Sequence, residues 1–366
     1  MIKPIWRCPL DWSLCIATLD RRDALLRSIR HALAQTVLPR EIVVIDVSDD
    51  WEETARILRE DIMAGYPEVE FFYGTSPVRS LTVQRNIAIN QCRSEIIFLL
   101  DDDSFMFPDC AEEIMKVYEA DKLDEVVAVA ISLDENIPAL PGAEAGKIIH
   151  KVSTEHSTVG LQKRVMRYSW GRWVNRKILL QNADELFIKY EGPRPEMVPA
   201  AVAALNVHPT TFMQGCTMTV RREIALREPF EPAFRYYAAS EDLDASYRFG
   251  RHGAVLRAER ARLHHFEAAG GRLKRKKVIA FQILNGSFII KRNARDPHRF
   301  KTAFRILIWR RLIGEVLKDA LARRYRFPQV QGVLTGMKLW RQVWQRSPEE
   351  LETWYPDFQK KVLEEL

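Results

Sequence analysis

The stretch that decides the fold is EIIFLLDDDS at residues 95–104, where an apolar run ends in three consecutive aspartates. A short apolar run bounded by polar residues is typical of a buried strand. Similar runs precede it, and patterns of helical period separate them. The runs are SLCIA (13–17), EIVVID (41–46) and EFFYG (70–74), and the helical patterns lie at about 22–35, 51–64 and 80–92. This alternation predicts an α/β fold, a Rossmann-like, mostly parallel sheet flanked by helices.

Polar side chains follow the ends of these predicted strands. Ligands of such sheets bind outside the carboxyl ends of the strands, which makes candidates of Thr18, Asp20, Arg21, Asp46, Asp101, Asp102 and Asp103. Adjacent carboxylates repel one another unless a cation lies between them, and Mg²⁺ takes one or two carboxylates together with phosphate oxygens. The triplet therefore favours a metal-bound diphosphate. A solvated turn is the alternative explanation for the acid triplet and also for Asp46 at the end of its own strand.

The second half of the chain carries two further candidate groups. Glu241 and Asp242 begin a predicted helix, where the helix dipole favours carboxylates in any case. His264 and His265 end a predicted strand, and a neutral imidazole is a good metal ligand as well as an ordinary core side chain. Between the halves we interpret residues 136–209 as an insertion, and a strand is predicted over 210–220. The insertion contains an aromatic cluster of Tyr168, Trp170 and Trp173.

Composition and motifs exclude several classes of protein. A chain of 366 residues with 47% apolar side chains can form a sizeable core. No apolar run approaches the ~20 residues of a membrane-spanning helix, and the first residues do not resemble a secretory signal, so a cytoplasmic location is expected. The five cysteines form no C-x-x-C pair, which argues against a disulfide framework and a zinc site. We interpret them as reduced, buried side chains.

Positive charge is concentrated near the C-terminus. Residues 272–346 contain 20 Lys or Arg and three acids, a local net charge of +17 in a chain whose net charge is +6. A basic helical region at 271–366 is therefore predicted, with an anionic partner: nucleic acid, an anionic membrane surface or a phosphorylated substrate. Apolar side chains from Trp309 to Leu321 form one helical stripe. The stripe either packs on the protein, which is the commoner arrangement, or faces a membrane.

Five blocks of this sequence, taken together, resemble family 2 glycosyltransferases with the GT-A fold. Their order and spacing make the resemblance more specific than any single block, and it covers about residues 13–135 and 210–266. The blocks are SLCIATLDRRDALLRSIRHALAQT (13–36), IVVIDVSDD (42–50), QRNIAINQCRSEIIFLLDDDS (84–104), FMQGCTMTVRREI (212–224) and SEDLDASYRFGRHG (240–253).

The resemblance implies a role for each candidate residue. Asp46 would bind the nucleobase, and Asp103 would be the direct metal ligand, with His264 or His265 reaching the metal or the diphosphate. Asp242 would be the catalytic base, beside Glu241, while Gly215 and Met218 would line the donor-sugar and acceptor region. Further nucleotide-binding residues would be Thr18, Asp20, Arg21, Arg85, Asp101 and Asp102.

The resemblance also implies a GT-A domain at 1–270, with a nucleotide-binding half at 1–135 and an acceptor and catalytic half at 210–270. The implied activity is inverting transfer of a sugar from a nucleotide-sugar donor to a hydroxyl of a glycan or lipid-linked acceptor, in bacterial-type polysaccharide or glycolipid assembly. The implied cofactor is a divalent metal, Mg²⁺ or Mn²⁺. A cytoplasmic enzyme of this kind could also be peripheral on the inner face of a membrane.

Two other functions compete with this interpretation. A sugar-phosphate nucleotidyltransferase needs a glycine-rich phosphate loop after the first strand, but the loop here is ATLDRRD (17–23), without glycine. A non-enzymatic module that binds anionic surfaces would explain the basic segment and leave the acidic strand ends unexplained. Nucleic acid is therefore the less favoured partner.

Overall fold

The structure, a computed structural model, describes residues 10–140, 169–180, 182–268 and 273–366, without the side chains of Ala183 and Asp184. Internal contacts divide the chain into two compact units. The first comprises Met1–Lys151, Arg194–Phe230 and Ala245–Gly271, and the second comprises Val152–Pro193, Glu231–Asp244 and Arg272–Leu366. The domain boundary after residue 270 and the insertion at 136–209 stay predictions, and Tyr168 lies outside the described residues.

Strands and helices alternate through the first part of the chain, as the apolar runs predict. The described strands are β1 (Trp12–Thr18), β2 (Glu41–Asp46), β3 (Glu70–Gly74), β4 (Ile96–Asp101), β5 (Ser104–Met106), β6 (Val126–Leu133), β7 (Val207–Pro209), β8 (Met218–Arg221) and β9 (Ala254–His265). The described α-helices are α1 (Arg22–Leu33), α2 (Trp51–Ile57), α3 (Leu81–Gln91), α4 (Cys110–Ala120), α5 (Ser169–Lys177), α6 (Ala183–Leu186), α7 (Arg222–Arg227), α8 (Glu241–Phe249), α9 (Arg275–Asn293), α10 (Pro297–Leu321), α11 (Pro328–Trp344) and α12 (Pro348–Glu365).

The strands of the first unit form one mixed sheet. Its order is β3-β2-β1-β4-β8-β6-β9-β5, and β7 pairs with β9. The four strands β3, β2, β1 and β4 are parallel, whereas β8 runs antiparallel to both β4 and β6. The predicted mostly parallel α/β sheet is thus confirmed, and the carboxyl ends of β1, β2 and β4 meet at one edge.

Strands β1, β2, β4 and β6 are buried on both faces, which explains why their sequences are mostly apolar. Successive side chains of a strand point to opposite faces, so Leu14 and Ile16 of β1 belong to one core cluster and Cys15 to the other. Helices α1 and α4 contribute to the first cluster, and α3 and α7 contribute to the second. The core therefore holds the carboxyl edge of the sheet rigidly.

The strand predicted over 210–220 is wrong in its first part. Strand β8 begins only at Met218, and residues 210–217 form an irregular loop before it. Pairing explains the short strand, because β8 lies between β4 and β6 and has partners only from Met218 onward. The loop, which contains Gly215 and Cys216, is therefore free to approach the edge of the sheet.

The second unit is built from helices. The ring of Phe288 in α9 lies 4.6 Å from that of Tyr355 in α12, and Phe234 packs against both. The buried Asn285 donates hydrogen bonds to the carbonyls of Tyr237 and Ala239 at 3.0 and 2.9 Å. These bonds attach the segment before α8 to α9. Helix α12 begins after Ser347, which forms a capping box with Glu350, and Pro348 lies in its first turn.

No helix of the described segments is long and apolar enough to cross a membrane.

Candidate active site at the carboxyl edge of the sheet

Parallel pairing aligns the ends of three strands at one edge. In the register of β1 with β2, Thr18 pairs with Asp46, and in the register of β1 with β4, Ala17 pairs with Asp101. After Asp101 the chain turns and enters β5 at Ser104. The sequence therefore places the acid triplet on a tight connection beside the end of β1, as predicted.

Asp102 connects this turn to the first loop. Its buried carboxylate accepts hydrogen bonds from Thr18 Oγ1 at 2.7 Å and from Arg21 Nη1 at 3.0 Å. Burial raises the pKa of Asp102 to about 7, against the lowering effects of Arg21 and Thr18. The structure thus brings the predicted nucleotide-binding residues Thr18, Arg21 and Asp102 together. In this structure their polar atoms bond to one another.

Asp103 is completely buried beneath the edge. Its Oδ2 accepts a hydrogen bond from the amide of Ala268 at 2.8 Å, and its Oδ1 lies 3.1 Å from Nε2 of His265. Burial acts to raise the pKa of Asp103, but His265, the Ala268 amide and Arg21 outweigh it and lower that pKa. Within the described residues Oδ1 has no well-aligned hydrogen bond. A buried anionic oxygen in this state is suited to a cation.

Asp101, Cys216 and His265 bring three potential metal ligands together. One donor atom from each lies within 4.8 Å of the other two, and Nε2 of His265 is 4.0 Å from Oδ2 of Asp101. Burial acts to lower the pKa of His265, but contacts with Asp103 and Cys216 outweigh it and raise that pKa to about 11. Without a cation the imidazole therefore carries a proton, and its charge compensates the acids around it. A cation bound by His265 would displace that proton, because only the neutral imidazole is a ligand.

Arg85 fixes the position of Asp101. The nearly buried guanidinium donates to Asp101 Oδ1 at 2.9 Å and to the carbonyl of Gly215 at 3.0 Å, and it lies over the ring of Phe230. It thereby ties the loop that carries Cys216 to the end of β4. In this arrangement Arg85 acts as a positioning residue for the acid, and the Gly215 main chain is part of the edge.

Asp46 is buried and bonded within the protein. Its Oδ1 accepts from the amide and hydroxyl of Ser48 at 2.8 and 2.5 Å, and its Oδ2 accepts from Tyr73 at 2.5 Å. Ser48 in turn accepts from the amide of Asp20 at 2.7 Å, where Asp20 adopts φ = 55°. Asp46 therefore shapes the first loop through Ser48. Its predicted contact with a nucleobase stays a prediction.

A cleft of about 670 Å³ lies beside the ends of β1 and β2. Its size is typical of small-molecule sites. Its charged lining is mixed, with three arginines and four aspartates: Arg21, Arg22, Arg27, Asp20, Asp23, Asp49 and Asp50. Arg22 is paired with Asp50, and Arg27 lies over the rings of Phe105 and Phe266. The cleft therefore offers guanidinium groups, carboxylates and aromatic rings to a polar ligand.

Two predicted site residues lie in surroundings that differ from those of the acids. Met218 is completely buried in the core cluster that contains Leu99 of β4, and its assignment to the donor-sugar and acceptor region stays a prediction. His264 precedes His265 in β9 and therefore points to the opposite face of the strand. Its Nδ1 lies 3.0 Å from the carbonyl of Asp134. His265 is thus the histidine that meets the acids.

Glu241 and Asp242 occupy the first turn of α8, as predicted. Oδ1 of Asp242 accepts a hydrogen bond from the amide of Leu243 at 2.8 Å. Asp244 is buried and accepts from the hydroxyl of Tyr190 at 2.9 Å. Asp244 is therefore committed to packing, whereas the assignment of Asp242 as the base stays a prediction.

Sequence reasoning missed two residues of the edge. The sequence predicts Cys216 only as a reduced, buried side chain, and it is buried. Its place beside Asp101 depends on the pairing of β8 with β4, which the sequence does not reveal. Gln84 is buried in α3, and its Nε2 donates to the carbonyls of Thr18 and Ile45 at 3.0 and 2.8 Å. It joins the ends of β1 and β2, and nothing in its sequence context distinguishes it from a surface glutamine.

Comparisons with known proteins give one family and one fold. Residues 13–180 match the model of glycosyl transferase family 2. Among solved structures, the mannosyltransferase PcManGT from Pyrobaculum calidifontis, in complex with GDP-Man and Mn²⁺, superposes with a TM-score of 0.51 at 13% identity, covering 92% of this chain and 90% of that one. None of the curated proteins matches the chain significantly.

Two further solved structures are similar at lower scores. GalNAc-T7 with UDP, GalNAc and Mn²⁺ has a TM-score of 0.48 at 15% identity, covering 81% of this chain and 53% of that one. TarS from S. aureus has a TM-score of 0.45 at 11% identity, covering 91% and 92%. The fold comparison rests on the mannosyltransferase, which shows that this chain has the same architecture.

Proposed function

Because the chain is a glycosyltransferase whose residues 13–180 belong to glycosyl transferase family 2, we propose that it moves a sugar from a nucleotide-diphosphate donor to an acceptor hydroxyl with inversion at the anomeric carbon. The observation that carries the proposal is the meeting of Asp101, Cys216 and His265 at the strand edge that also holds the arginine-lined cleft. Family 2 chemistry needs a cleft for the phosphorylated donor and an electrophilic centre, and the candidates for both lie in the first unit.

The donor atoms at the edge fit a divalent cation. They comprise a carboxylate, an imidazole and a thiol within 4.8 Å of one another, and the buried Oδ1 of Asp103 lies next to the imidazole. We assign Asp101, His265 and Cys216 as the residues that hold the ion, with Asp103 beside them. A bound cation supplies Lewis-acid stabilisation of the diphosphate leaving group.

The same donor set favours Mn²⁺ over Mg²⁺. Magnesium prefers oxygen ligands in a strict octahedral arrangement, whereas imidazole and thiolate are better ligands for first-row transition ions. Burial of Cys216 raises the pKa of its thiol, although His265 opposes that rise. A cation at this position would stabilise the thiolate, because a metal-bound thiol loses its proton readily.

The cleft binds the donor in this proposal. Arg22 and Arg27 contact the diphosphate, and Arg21, which already bonds Asp102, joins the cleft to the acid triplet. The nucleobase lies toward Asp46 and Thr18. Both oxygens of Asp46 accept hydrogen bonds, from Ser48 and from Tyr73. A nucleobase that contacts this carboxylate therefore replaces one of those bonds.

Asp242 is the proposed general base. It accepts the proton of the acceptor hydroxyl while that oxygen attacks the anomeric carbon and the nucleotide diphosphate departs, so a single displacement inverts the configuration. Proton transfer to a positioned base contributes about 10²–10⁴ in rate. The bonds from Asn285 to the preceding segment hold this part of the chain on α9.

The acceptor is proposed to be a glycan or a lipid-linked saccharide of a bacterial-type polysaccharide or glycolipid. We also propose that the chain associates peripherally with an anionic membrane surface. The basic segment at 272–346 supports this association, since it carries a net charge of +17 and juxtamembrane Lys and Arg are attracted to anionic lipids.

Asp242→Asn tests the mechanism. Asparagine keeps the size and the ability to accept the Leu243 amide, so donor affinity and melting temperature should match the wild type while acceptor-dependent transfer falls by about 10²-fold or more. Glu241→Gln is the matched control and should keep most of the activity. NMR of the product gives its anomeric configuration. A retained configuration would disprove the single displacement, and full transfer by Asp242→Asn would place the base elsewhere.

A further inference from the structure

Helix α10 exposes an apolar strip although its buried side contains charged residues. Phe304, Leu307 and Ile308 are buried in its first half. Arg311, Glu315 and Asp319 are buried in its second half, although charged side chains are rarely buried. Other large apolar side chains of the helix are exposed. They are Ile306, Trp309, Ile313, Val316, Leu317 and Leu321. The apolar stripe noted in the sequence therefore does not pack on the protein.

The exposed side chains form one continuous strip. Spacings of three, four and seven residues place side chains on one face of a helix, and Ile306, Trp309, Ile313 and Leu317 follow these spacings. From Ile306 to Leu321 the strip is about 22 Å long at 1.5 Å per residue. The exposed fractions of Trp309 and Ile313 are 56% and 58%. Contiguous exposed apolar surface of this kind marks an interaction site.

Buried polar contacts fix the orientation of α10. Glu315 is bonded to Lys318 at 2.9 Å and also accepts from Gln329, and Asp319 accepts from the Gln329 amide at 2.9 Å. Turning the helix to bury the strip would bring these charges into solvent and break the bonds. The outward apolar face is thus a fixed property of the fold.

A second element of the same unit exposes two tryptophans. Trp170 and Trp173 of α5 have exposed fractions of 59% and 58%. The end of α5 lies against α10, because Arg310 Nη2 donates to the Lys177 carbonyl at 3.0 Å. At Gly314 the backbone carbonyl of Ile178 comes so close that a Cβ would lie 2.7 Å from it. Tryptophan is the side chain that concentrates at membrane interfaces.

The exposed charge around the strip is basic. Arg299, Lys301 and Arg305 precede or flank it, and Arg323 and Arg326 follow it, all of them exposed. Residues 295–326 contain three acids, and two of these, Glu315 and Asp319, are buried. The surface that surrounds the apolar strip therefore complements a negative partner.

We propose that the outward face of α10 is a docking surface for an anionic lipid bilayer, in which the strip from Ile306 to Leu321 lies in the interface plane. A helix with an apolar face that contains tryptophan and with basic residues around it binds in this way. No helix of the described segments can span a bilayer. A second copy of the chain would bring like charges together. The proposal rests on the peripheral membrane association proposed above and names the surface that makes it. It does not depend on the glycosyl-transfer chemistry.

Co-sedimentation of the full-length chain with vesicles tests the proposal. The wild type should be retained on vesicles of phosphatidylcholine with phosphatidylglycerol, less on phosphatidylcholine alone, and less at high salt. The variant Trp309→Ser with Ile313→Ser should bind at least about tenfold more weakly, since two interfacial anchors are lost. Leu123→Ser is the matched control, because Leu123 is an exposed apolar residue of the first unit, and it should bind like the wild type.

The remaining outcomes separate docking from its alternatives. The proposal is wrong if the wild type is not retained, or if the double variant is retained equally well. It is also wrong if light scattering shows a dimer that the double variant converts to a monomer, because a second copy would then cover the face. Hydrolysis of a soluble nucleotide-sugar without vesicles should be the same in both proteins. If the wild type does not hydrolyse the soluble nucleotide-sugar, that result would count against the proposed function but not against docking.

Discussion

The acidic edge of the first unit and helix α10 of the second unit both bury charged side chains, with opposite consequences for the surface. At the edge, Asp102 and Asp103 are buried beside Arg21 and His265. In the neighbouring cluster Asp101 and His265 are half-buried and Cys216 is buried. In α10, Arg311, Glu315 and Asp319 are buried and the apolar side chains of the strip are turned outward. Buried charges belong to the candidate active site in the first case and lie behind an exposed apolar strip in the second.

The difference shows that burial of charge must be interpreted from its partners. The carboxylates at the edge outnumber the hydrogen-bond donors around them, since Oδ1 of Asp103 lacks a well-aligned donor. Glu315, by contrast, is satisfied by Lys318 and Gln329. Asp319 Oδ1 and Arg311 Nε in α10 also lack a hydrogen-bond partner among the described residues, so the contrast holds for Glu315 and Asp103 alone. The bonds of Glu315 stabilise one helix orientation.

The largest expected effect is the loss of activity when the edge cannot hold a cation. Chelation with EDTA should abolish transfer, and Asp103→Asn should lower it by about 10³-fold, because the charge next to His265 disappears while the bond from Ala268 is kept. Activity is measured with added Mn²⁺, and metal binding is followed by titration calorimetry. Wild-type activity in EDTA would contradict the metal assignment.

Glu315→Ala tests the buried bonds of Glu315 to Lys318 and Gln329, which hold α10 in its orientation. Removing one member of a buried charged cluster costs about 3–5 kcal/mol, since the remaining charges lose their partner. Urea denaturation should show this loss in the free energy of unfolding. Trp309→Ser on the exposed face is the control and should change it by less than about 1 kcal/mol. Equal losses of unfolding free energy in the two variants would mean that the buried Glu315 stabilises the fold no more than the exposed Trp309 does.

His31 gives the first unit a dependence on pH. Burial, and then the charge of Arg27, lowers the pKa of His31 from 6.5 to about 4. The unfolded chain takes up this proton below about pH 6.5 and the folded chain does not, so the stabilisation is complete above that pH and is lost as the pH falls toward 4. Between pH 7 and 4.5 the wild type should lose about 2 kcal/mol more stability than His31→Gln. If the unfolding free energies of the wild type and His31→Gln fall in parallel with pH, the lowered pKa of His31 would be contradicted.

Cys216→Ser should give the smallest effect and sharpen the metal assignment. Serine offers a harder oxygen in place of the thiol, so the preference for Mn²⁺ over Mg²⁺ should fall by about tenfold. With Co²⁺ the wild type should show a thiolate-to-cobalt absorption band that the variant lacks. Cys110→Ser, at a buried cysteine remote from the cluster, should keep the band. A band that survives in Cys216→Ser would exclude the thiol as a ligand.

Several features of the fold and the site could be predicted from the sequence because they depend on local patterns. The apolar runs of β1, β2 and β4 fix strand positions, and the parallel sheet then brings the residues after each run to one edge. This reasoning placed Thr18, Asp46 and the acid triplet side by side, and their registers confirm it. It also located His265, although it could not separate that residue from His264.

Other features depend on which elements become neighbours. Cys216 joins Asp101 only because β8 inserts beside β4, about 115 residues away in sequence. The same pairing places Met218 opposite Leu99 in the core. The apolar stripe of α10 was visible in the sequence, but its direction was not. A periodic stripe defines two faces equally well.

The sequence by itself determined the α/β alternation, the acids at the strand ends and the amphipathic character of α10, because each of these is a short-range pattern of side-chain size and charge. Only the tertiary structure decided which histidine meets the acids, that a cysteine joins them, and that α10 turns its charges inward. Those outcomes follow from packing between segments that are distant in the chain, where the burial of one group depends on the partners that other segments bring to it.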